Sequence, residues 1–293
     1  MILSPIELSI KRKIESVGTP LKDWDINIYR GVLTGCNEAF IISTEKRNEI
    51  LSNCKDDDER IRTEALIRPI LRGRDIKRYS YEWANLWLIA TFPSRHYDIE
   101  QYPAVKAHLE SYYGGHGREV LAQTGATNII NGEKVKSRKK TNNKWFETQD
   151  SINYWEDFSQ PKIVYGQFQD EAEYSFANDL IYLSSNEYLL IVRNYSPKCL
   201  LAFLNCKISE WILGQITGNL GGNAKIGQKS NFIKLPVPFL TLQQQILFDD
   251  MVDKILVQKA SGKSTLVEEK KIDEMVYIIY GLSDEEIEFI SSQ

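Results

Sequence analysis

Residues 231–259, NFIKLPVPFLTLQQQILFDDMVDKILVQK, decide how the chain is organised. The first five of them, Asn231–Leu235, are apolar enough for a strand, and the Pro-Val-Pro that follows would end it. Thr241 and Gln244 have the spacing of a capping box, in which each side chain satisfies a backbone N–H at the start of a helix. The helix that follows has one apolar face, formed by Phe248, Met251, Val252 and Ile255. The segment therefore predicts the exit of the chain from a globular body into a helical extension.

A second helix follows after the short polar linker Ser261–Ser264. Its apolar residues repeat the same spacing, and they are Ile272, Met275, Val276 and Ile279. Gly281 is placed to end this helix, since glycine readily adopts the left-handed conformation found after a last helical turn. Two helices with apolar stripes and a short connection predict an antiparallel pair.

The body that precedes this pair mixes helices and short strands. Ser4–Glu7 is a further capping box that starts a leading helix, and a hairpin is predicted for Ile28–Leu33 and Ala39–Ile42 across a turn-forming Thr-Gly-Cys-Asn. Further strands are predicted at Leu86–Thr91, Lys162–Phe168, Tyr174–Ala177 and Ile181–Val192. A buried helix should begin at Ser196-Pro197. The fold class predicted from this order is α+β, with a helical pair at the end.

Composition sets broad limits. The 293 residues include 42% hydrophobic ones, which is enough to build a core, and the net charge is −4. Residues 240–293 carry 5 Lys and Arg against 11 Asp and Glu, whereas the preceding residues carry 31 against 29. The whole chain thus lacks the strongly basic balance of a non-specific nucleic-acid binder, and any such role must depend on local clusters.

Cysteine, histidine and apolar patterns give no sign of a metal site or a membrane span. The four cysteines form no Cys-x-x-Cys pair, and the three histidines are not spaced as zinc ligands. No apolar run approaches the roughly 20 residues of a membrane helix, and no secretory signal is recognisable at the start. We therefore expect a soluble, cytoplasmic protein.

Four motifs resemble a known family. They are Gly31-Val-Leu-Thr-Gly-Cys-Asn-Glu-Ala-Phe40, Leu71-Arg-Gly-Arg-Asp-Ile-Lys-Arg-Tyr79, Lys144-Trp-Phe-Glu147 and Leu235-Pro-Val-Pro238. Together they resemble the TaqI-like C-terminal specificity domain, or target-recognition domain, of type IIG restriction-modification enzymes and adenine-specific DNA methyltransferases. The junction at residues 231–259 is also similar to that of type I specificity subunits, where such a domain meets its spacer helices.

This resemblance implies where the domains of the chain begin and end, and which functions they have. A leading helix, residues 1–19, would precede a mixed target-recognition domain, residues 20–239, and residues 240–293 would be a helical spacer. The domain would recognise a sequence in double-stranded DNA. Methylation and cleavage, with S-adenosylmethionine and Mg²⁺, would belong to a methyltransferase and nuclease region of the same polypeptide or of a separate subunit, because this chain has no Asn-Pro-Pro-Tyr motif and no cofactor loop. The resemblance does not give the DNA target sequence.

The clearest candidate for DNA contact is the basic segment Arg68–Tyr79. On residue type alone it is either a charged loop whose arginines pair with nearby acids, or a DNA-binding segment. In the second case Lys and Arg neutralise phosphates, while one arginine reaches guanine O6 and N7 in the major groove. The candidates here are Arg72, Arg74, Lys77 and Arg78, with Arg74 as the base reader and Lys77 as a phosphate contact.

Three further segments complete the predicted interface. The polar stretch Gly114–Lys144 is either a solvated loop or a segment that follows the DNA backbone, through Lys134, Lys136, Arg138, Lys139 and Lys140. Gln167 and Gln169 lie on one face of a strand end and can read adenine, although an exposed strand edge explains them equally well. The glycine-rich run after Gly218 is either a flexible connection or a close approach of the main chain to DNA, with polar contacts from Asn219, Asn223 and Lys225.

Two other classes of function compete with DNA recognition. Asp75 and Lys77 have the acid-x-Lys spacing of a Mg²⁺-dependent nuclease, which also needs a further acid that no strand pattern supplies. Alternatively, the helical pair is the working surface of a protein-interaction module. Mg²⁺-dependent cleavage by this chain alone would favour the nuclease, and a lack of duplex binding would favour the interaction module.

Overall fold

The computed structural model describes residues 3–168, 171, 173–217 and 228–292. Within these ranges the strands are β1 (Thr19–Pro20), β2 (Ile26–Arg30), β3 (Ile41–Ser43), β4 (Ile67–Leu71), β5 (Ile76–Lys77), β6 (Ser80–Tyr81), β7 (Leu86–Ile89), β8 (Thr127–Ile130), β9 (Glu133–Lys136), β10 (Lys162–Gly166), β11 (Tyr174–Ala177), β12 (Tyr182–Leu183), β13 (Glu187–Val192) and β14 (Pro236–Val237).

The helices surround these strands and fill the end of the chain. They are α1 (Pro5–Val17), α2 (Asn37–Phe40), α3 (Thr44–Ser52), α4 (Asp57–Leu66), α5 (Pro103–Gly115), α6 (Gly117–Val120), α7 (Pro197–Leu204), α8 (Lys207–Thr217), α9 (Lys229–Phe232), α10 (Leu242–Ala260), α11 (Leu266–Tyr280) and α12 (Asp284–Ser291). The predicted α+β class is confirmed.

Two four-stranded sheets form the frame. The central sheet has the order β11-β10-β13-β2 and is antiparallel throughout, with Val164 opposite Leu189 and Tyr165 opposite Tyr188. The lateral sheet has the order β12-β4-β7-β3, in which β12 and β4 are parallel and the other neighbours are antiparallel. A single bridge between Val32 and Ser184 brings the chain after β2 against the end of β12.

The central sheet lies between two hydrophobic cores. Along β10, Ile163 and Tyr165 face one core, and Val164 between them faces the other, since successive strand side chains point to opposite faces. The first, the helical core, is formed with α1, α7, α8, α10, α11 and α12. The second, the lateral core, joins the other face of this sheet to the lateral sheet and α5. Both faces of the sheet are thus covered.

The predicted first hairpin is wrong, although its two strands exist. β2 pairs with β13 in the central sheet, whereas β3 pairs with β7 in the lateral sheet. Helix α2 occupies part of the predicted turn and second strand. Each strand takes a partner that is distant in sequence, so the local turn signal does not decide the pairing.

The exit strand also differs from the prediction. Residues 229–232 form helix α9, and the strand is instead Pro236–Val237, which pairs with Thr19–Pro20. Prolines are tolerated here because this two-stranded ladder has few N–H groups to satisfy. The predicted capping box of Thr241 and Gln244 is confirmed, and Phe248, Val252 and Ile255 of α10 are buried as expected.

The C-terminal helices join the body through one continuous core. Helix α10 packs against α7, α11 packs against α10 and α1, and α12 packs against α8. Phe203 of α7 lies 5.1 Å from Phe248 of α10, measured between ring centroids. Hydrophobic packing therefore runs across the predicted limits at residues 19/20 and 239/240.

Among the described residues no single helix could cross a membrane by length and composition, though the bent pair α7–α8 meets that test jointly.

Candidate nucleic-acid interface

The basic segment after β4 is built around a tight turn. β4 ends at Leu71, and residues Gly73–Asp75 form a single 3-10 turn closed by the Asp75 carboxylate. That carboxylate accepts hydrogen bonds from the Arg72 backbone N–H at 2.8 Å and from its guanidinium at 2.7 and 3.0 Å. Burial raises the pKa of Asp75, but the bonds from Arg72 outweigh it and lower the pKa below 3.8. The hydrogen bonds between Arg72 and Asp75 thus stabilise the turn.

Gly73 allows this turn to lie against the end of β13. A Cβ atom added to Gly73 would fall 2.8 Å from Oε1 of Glu187, too close for any real side chain. Glu187 is buried, which raises the pKa of its carboxyl group. A larger residue at position 73 would therefore displace the Glu187 carboxylate at the start of β13.

The four basic candidates of this segment have different surroundings. Arg74 and Lys77 are exposed, and Lys77 forms a 3.8 Å ion pair with Glu173. Arg78 turns the other way and forms a 2.5 Å ion pair with Glu269 of α11. The structure thus presents Arg74 and Lys77 to solvent, while Arg72 and Arg78 are bonded within the protein. DNA contact by any of the four stays a prediction.

The polar stretch after α5 contains an ordered hairpin. β8 pairs with β9, and the two turn residues Asn131 and Gly132 have φ of 51° and 84°. An Asn-Gly pair with both φ positive is the common two-residue hairpin turn, a signal in the sequence that the prediction of a long loop overlooked. Lys134 and Lys136 lie exposed on β9. The hairpin thus carries two of the predicted lysines.

Arg138, which follows this hairpin, is buried instead of exposed. Its side chain is 5% accessible, and its guanidinium donates to four backbone carbonyls at 2.6–2.8 Å. These carbonyls belong to Thr34, Leu121, Trp145 and Glu147. Burial lowers the pKa of Arg138 to about 10, so the group is still charged at neutral pH. The guanidinium is therefore committed to the fold, and phosphate contact would have to come from its exposed neighbours Lys139 and Lys140.

These neighbours border an open groove of about 470 Å³. It is lined by Gly35, Cys36, Val120, Gly125 and the residues 136–140. Gly35 has φ of 77°, and its missing side chain makes room for Arg138 and Gln149 beneath it. The chain after β2 and the lysine segment thus form the two sides of one basic groove.

A second group of polar side chains lies at the end of the central sheet. Asp150 interacts electrostatically with both Arg30 and Lys139, although burial is the larger influence and raises the pKa of its carboxyl group. Arg30, exposed at the end of β2, donates to the Ser185 carbonyl and to the Asn186 side chain at 3.4 Å. Gln167 in turn donates its backbone N–H to Asn186 at 2.8 Å. Sequence reasoning missed Arg30, because one arginine at a strand end has no local signature.

We use the name basic rim for the exposed or partly exposed basic and amide side chains of these segments. Its members are Arg30, Arg74, Lys77, Lys134, Lys136, Lys139, Lys140 and Gln167. Phe168, next to Gln167, is 59% exposed. The other predicted contacts, Gln169, Asn219, Asn223 and Lys225, lie outside the described residues. No group of three or more His, Cys, Asp or Glu side chains in the described ranges is arranged to hold a metal ion.

A family of specificity domains is recognised in the sequence of this chain. Residues 68–237 match the model of the TaqI-like C-terminal specificity domain, and the chain belongs to that family. The match contains the basic turn, the β8–β9 hairpin and the end of the central sheet. No curated protein matches the chain.

Two solved structures share the fold. The type IIL restriction-modification enzyme MmeI, solved in complex with DNA, is 10% identical with a TM-score of 0.50, over 94% of this chain and 36% of that one. The type IIG restriction endonuclease BpuSI is 12% identical with a TM-score of 0.54, over 94% of this chain and 33% of that one. This chain therefore spans about a third of the length of either enzyme. At these identities the likeness is one of fold.

Proposed function

We propose that this chain recognises a specific sequence in double-stranded DNA, as the specificity module of a type IIG-like restriction-modification enzyme. Membership of the specificity-domain family supports the general role. The observation that carries the proposal is the basic rim, in which four separate segments present exposed cations. Two of these cations, Arg30 and Lys139, both lie close enough to Asp150 to interact with its carboxylate. The acidic helices α10–α12 pack against α1, α7 and α8, and α11 also pairs with the basic segment through Glu269.

The rim offers two kinds of contact. Lys77, Lys134, Lys136 and the pair Lys139–Lys140 supply flexible ammonium groups, which neutralise phosphates whatever the sequence. Arg74 has a guanidinium that can bond guanine O6 and N7 together, and Gln167 has an amide that can bond adenine N6 and N7. In this proposal the lysines hold the duplex in register, and Arg74 and Gln167 read it.

Catalysis is assigned to another region, of the same polypeptide or of a separate subunit. That region would bind S-adenosylmethionine and Mg²⁺ and carry the adenine methyltransferase and nuclease activities. Support for such a partner comes from apolar side chains left exposed on the C-terminal helices, namely Leu242, Ile246, Leu247, Val257, Leu266 and Ile278. In this proposal these exposed apolar side chains contact the catalytic region.

Selection of bound duplexes from a random pool tests the proposal directly. The purified chain should enrich one short sequence, and the double variant K139A/K140A should bind the enriched duplex more weakly and with a shallower dependence on salt. The matched control is K270A/K271A, which removes the same charge from the exposed surface of α11. Binding without enrichment of any sequence would contradict specific recognition. Equal weakening by both double variants would contradict the assignment of the rim.

A further inference from the structure

The lysine pair of the basic rim lies between two buried anchors. Arg138 precedes Lys139 and Lys140, and Thr141 follows them. Arg138 bonds carbonyls on three separate parts of the chain, at Thr34, at Leu121 and at Trp145 with Glu147. The guanidinium of Arg138 also lies over the ring of Phe40, with its central carbon 5.0 Å from the ring centroid. The backbone immediately before the lysines is therefore fixed by interior contacts.

Gln123 forms the anchor on the other side. It is 4% exposed, and its amide nitrogen donates to the carbonyls of Glu147 and Thr148 at 2.9 and 3.2 Å. Its amide oxygen accepts from the Thr141 hydroxyl at 2.7 Å and from the Gln149 amide at 3.0 Å. Its backbone carbonyl accepts from the Thr141 N–H at 3.0 Å. Thr141, directly after the lysines, is thus bonded twice to Gln123.

The short segment between the anchors is also restrained along its length. The Gln149 amide donates to the Lys139 carbonyl at 3.2 Å, and the Arg138 carbonyl accepts from the Gly125 N–H at 2.9 Å. The backbone of Lys139 and Lys140 is therefore held on the groove wall while both side chains remain exposed. A cation presented on a fixed backbone loses less conformational entropy on binding than one on a mobile loop.

We propose that Arg138 and Gln123 are positioning residues for DNA binding, which act by holding Lys139 and Lys140 on the groove wall without touching DNA themselves. This inference rests on the proposed function. It reassigns the arginine of a basic run from phosphate contact to support of its neighbours. Gln123 provides the sharper test, because an uncharged side chain cannot by itself add to the salt dependence of binding.

The experiment compares salt dependence in matched variants. Binding of a labelled mixed-sequence duplex is measured from 50 to 200 mM salt for wild type, Q123A, R138K and K139A/K140A. Each lost phosphate contact lowers the slope of log K against log salt by about 0.9, and weakens binding roughly eightfold near 0.1 M salt. Q123A and R138K should each lower the slope by the amount that corresponds to about two lost phosphate contacts. The same decrease is expected for K139A/K140A. R47K is the control and should leave the slope unchanged, because Arg47 is a partly buried arginine that lies over Trp87 of the lateral sheet.

Combination of the variants separates positioning from direct contact. Adding Q123A to K139A/K140A should cause no further loss, since the lysines through which it acts are already gone. Fully additive losses, or an unchanged slope in Q123A and R138K, would overturn the inference while leaving DNA recognition intact. A wild-type chain that binds no duplex would overturn both.

Hydrogen exchange tests the anchoring without DNA. In Q123A and R138K the amides of Gly125 and Thr141 should exchange faster, because their acceptors are the backbone carbonyls of Arg138 and Gln123, whereas the central-sheet amide of Val164 should not change. Faster exchange throughout the chain, or global unfolding of both variants, would show a role in overall stability and contradict local positioning.

Discussion

Arg78 and Glu269 form an ion pair of 2.5 Å that joins the basic segment Arg68–Tyr79 to helix α11. Both side chains are mostly shielded, at 27% and 13% exposed. The pair fastens the C-terminal helices to the turn that presents Arg74 and Lys77, so a residue that looks like part of a DNA-binding run in the sequence links two parts of the fold.

Loss of this pair should lower stability and leave DNA contact unchanged. We expect R78A to reduce the free energy of unfolding by about 2 kcal/mol, as for other hydrogen bonds to charged groups, with no change in the salt slope of duplex binding. Urea unfolding and binding titrations measure the two effects. E269A should cost a similar amount, and the double variant less than the sum. A salt slope that falls by about one in R78A would instead indicate a phosphate contact.

Substitution of Arg74 and Lys77 should give two different patterns. R74A should cost roughly 1 to 3 kcal/mol against the selected sequence and relax preference at one base pair, whereas K77A should weaken all duplexes alike and lower the salt slope by about one. Binding to single-base variants of the selected duplex resolves the two. Lys254 of α10 is an exposed control, and K254A should behave as wild type. If neither R74A nor K77A changes affinity or slope, the turn is structural.

Glu286 should make the fold sensitive to acid. Burial raises its pKa, but bonds from Lys13, Ser9 and the Ser283 N–H outweigh it and lower the pKa to about 2. A carboxyl group with a depressed pKa stabilises the fold above its ordinary value of 4.5, and this stability is lost as pH falls towards 2. E286Q should therefore be less stable at pH 7 and lose less stability between pH 4.5 and 2.5.

Denaturant midpoints at pH 7, 4.5 and 2.5 check that expectation. The neighbouring Glu285 is exposed on the same helix, so E285Q serves as the control and should follow the wild-type curve. Parallel curves for wild type and E286Q across this range would show that Glu286 does not contribute to the acid sensitivity.

A chain that ends after Phe239 should fail to fold cooperatively. Such a chain lacks seven buried hydrophobic side chains of α10 and α11, namely Phe248, Val252, Ile255, Ile272, Val276, Tyr277 and Tyr280. Each contributes about 1.5 to 3 kcal/mol by burial, and the sum is comparable with the whole stability of a typical domain. Near-ultraviolet circular dichroism and a urea titration provide the measurement. A sharp unfolding transition in the truncated chain would support residues 20–239 as an independent domain.

The isolated chain should neither methylate nor cut DNA. The sequence has no Asn-Pro-Pro-Tyr motif, and Asp75, the acid of the competing nuclease hypothesis, is bonded by Arg72. Incubation with labelled S-adenosylmethionine, Mg²⁺ and mixed-sequence duplex tests both activities. Methyl transfer or cleavage that persists through further purification would contradict the assignment of catalysis to another region.

The local parts of the fold are readable from the sequence. The capping boxes at Ser4 and Thr241 both start helices as predicted, because a side chain and a backbone N–H three residues apart suffice to form them. Pairings between distant segments are not readable in this way. β14 pairs with β1, and β2 and β3 take partners in different sheets, since each strand satisfies its backbone where tertiary packing places it.

The same limit applies to the candidate interface. Lys139 and Arg138 are adjacent cations in the sequence, yet one is exposed and the other is buried. The difference arises from four carbonyls on segments that only the fold brings together. By contrast, Asn131-Gly132 is a local signal that identifies the β8–β9 hairpin, and it was available in the sequence.

The tip of that hairpin has a consequence for how such proteins diversify. A side chain added at Gly132 would meet nothing within 4 Å, so the tip stands clear of both hydrophobic cores. Doubling the length of a surface loop costs only about 0.6 kcal/mol in closure entropy. Insertions or deletions at Asn131-Gly132 can therefore lengthen or shorten the hairpin that carries the lysines during evolution. Such changes can alter which binding sites the protein reaches at little cost in folding stability.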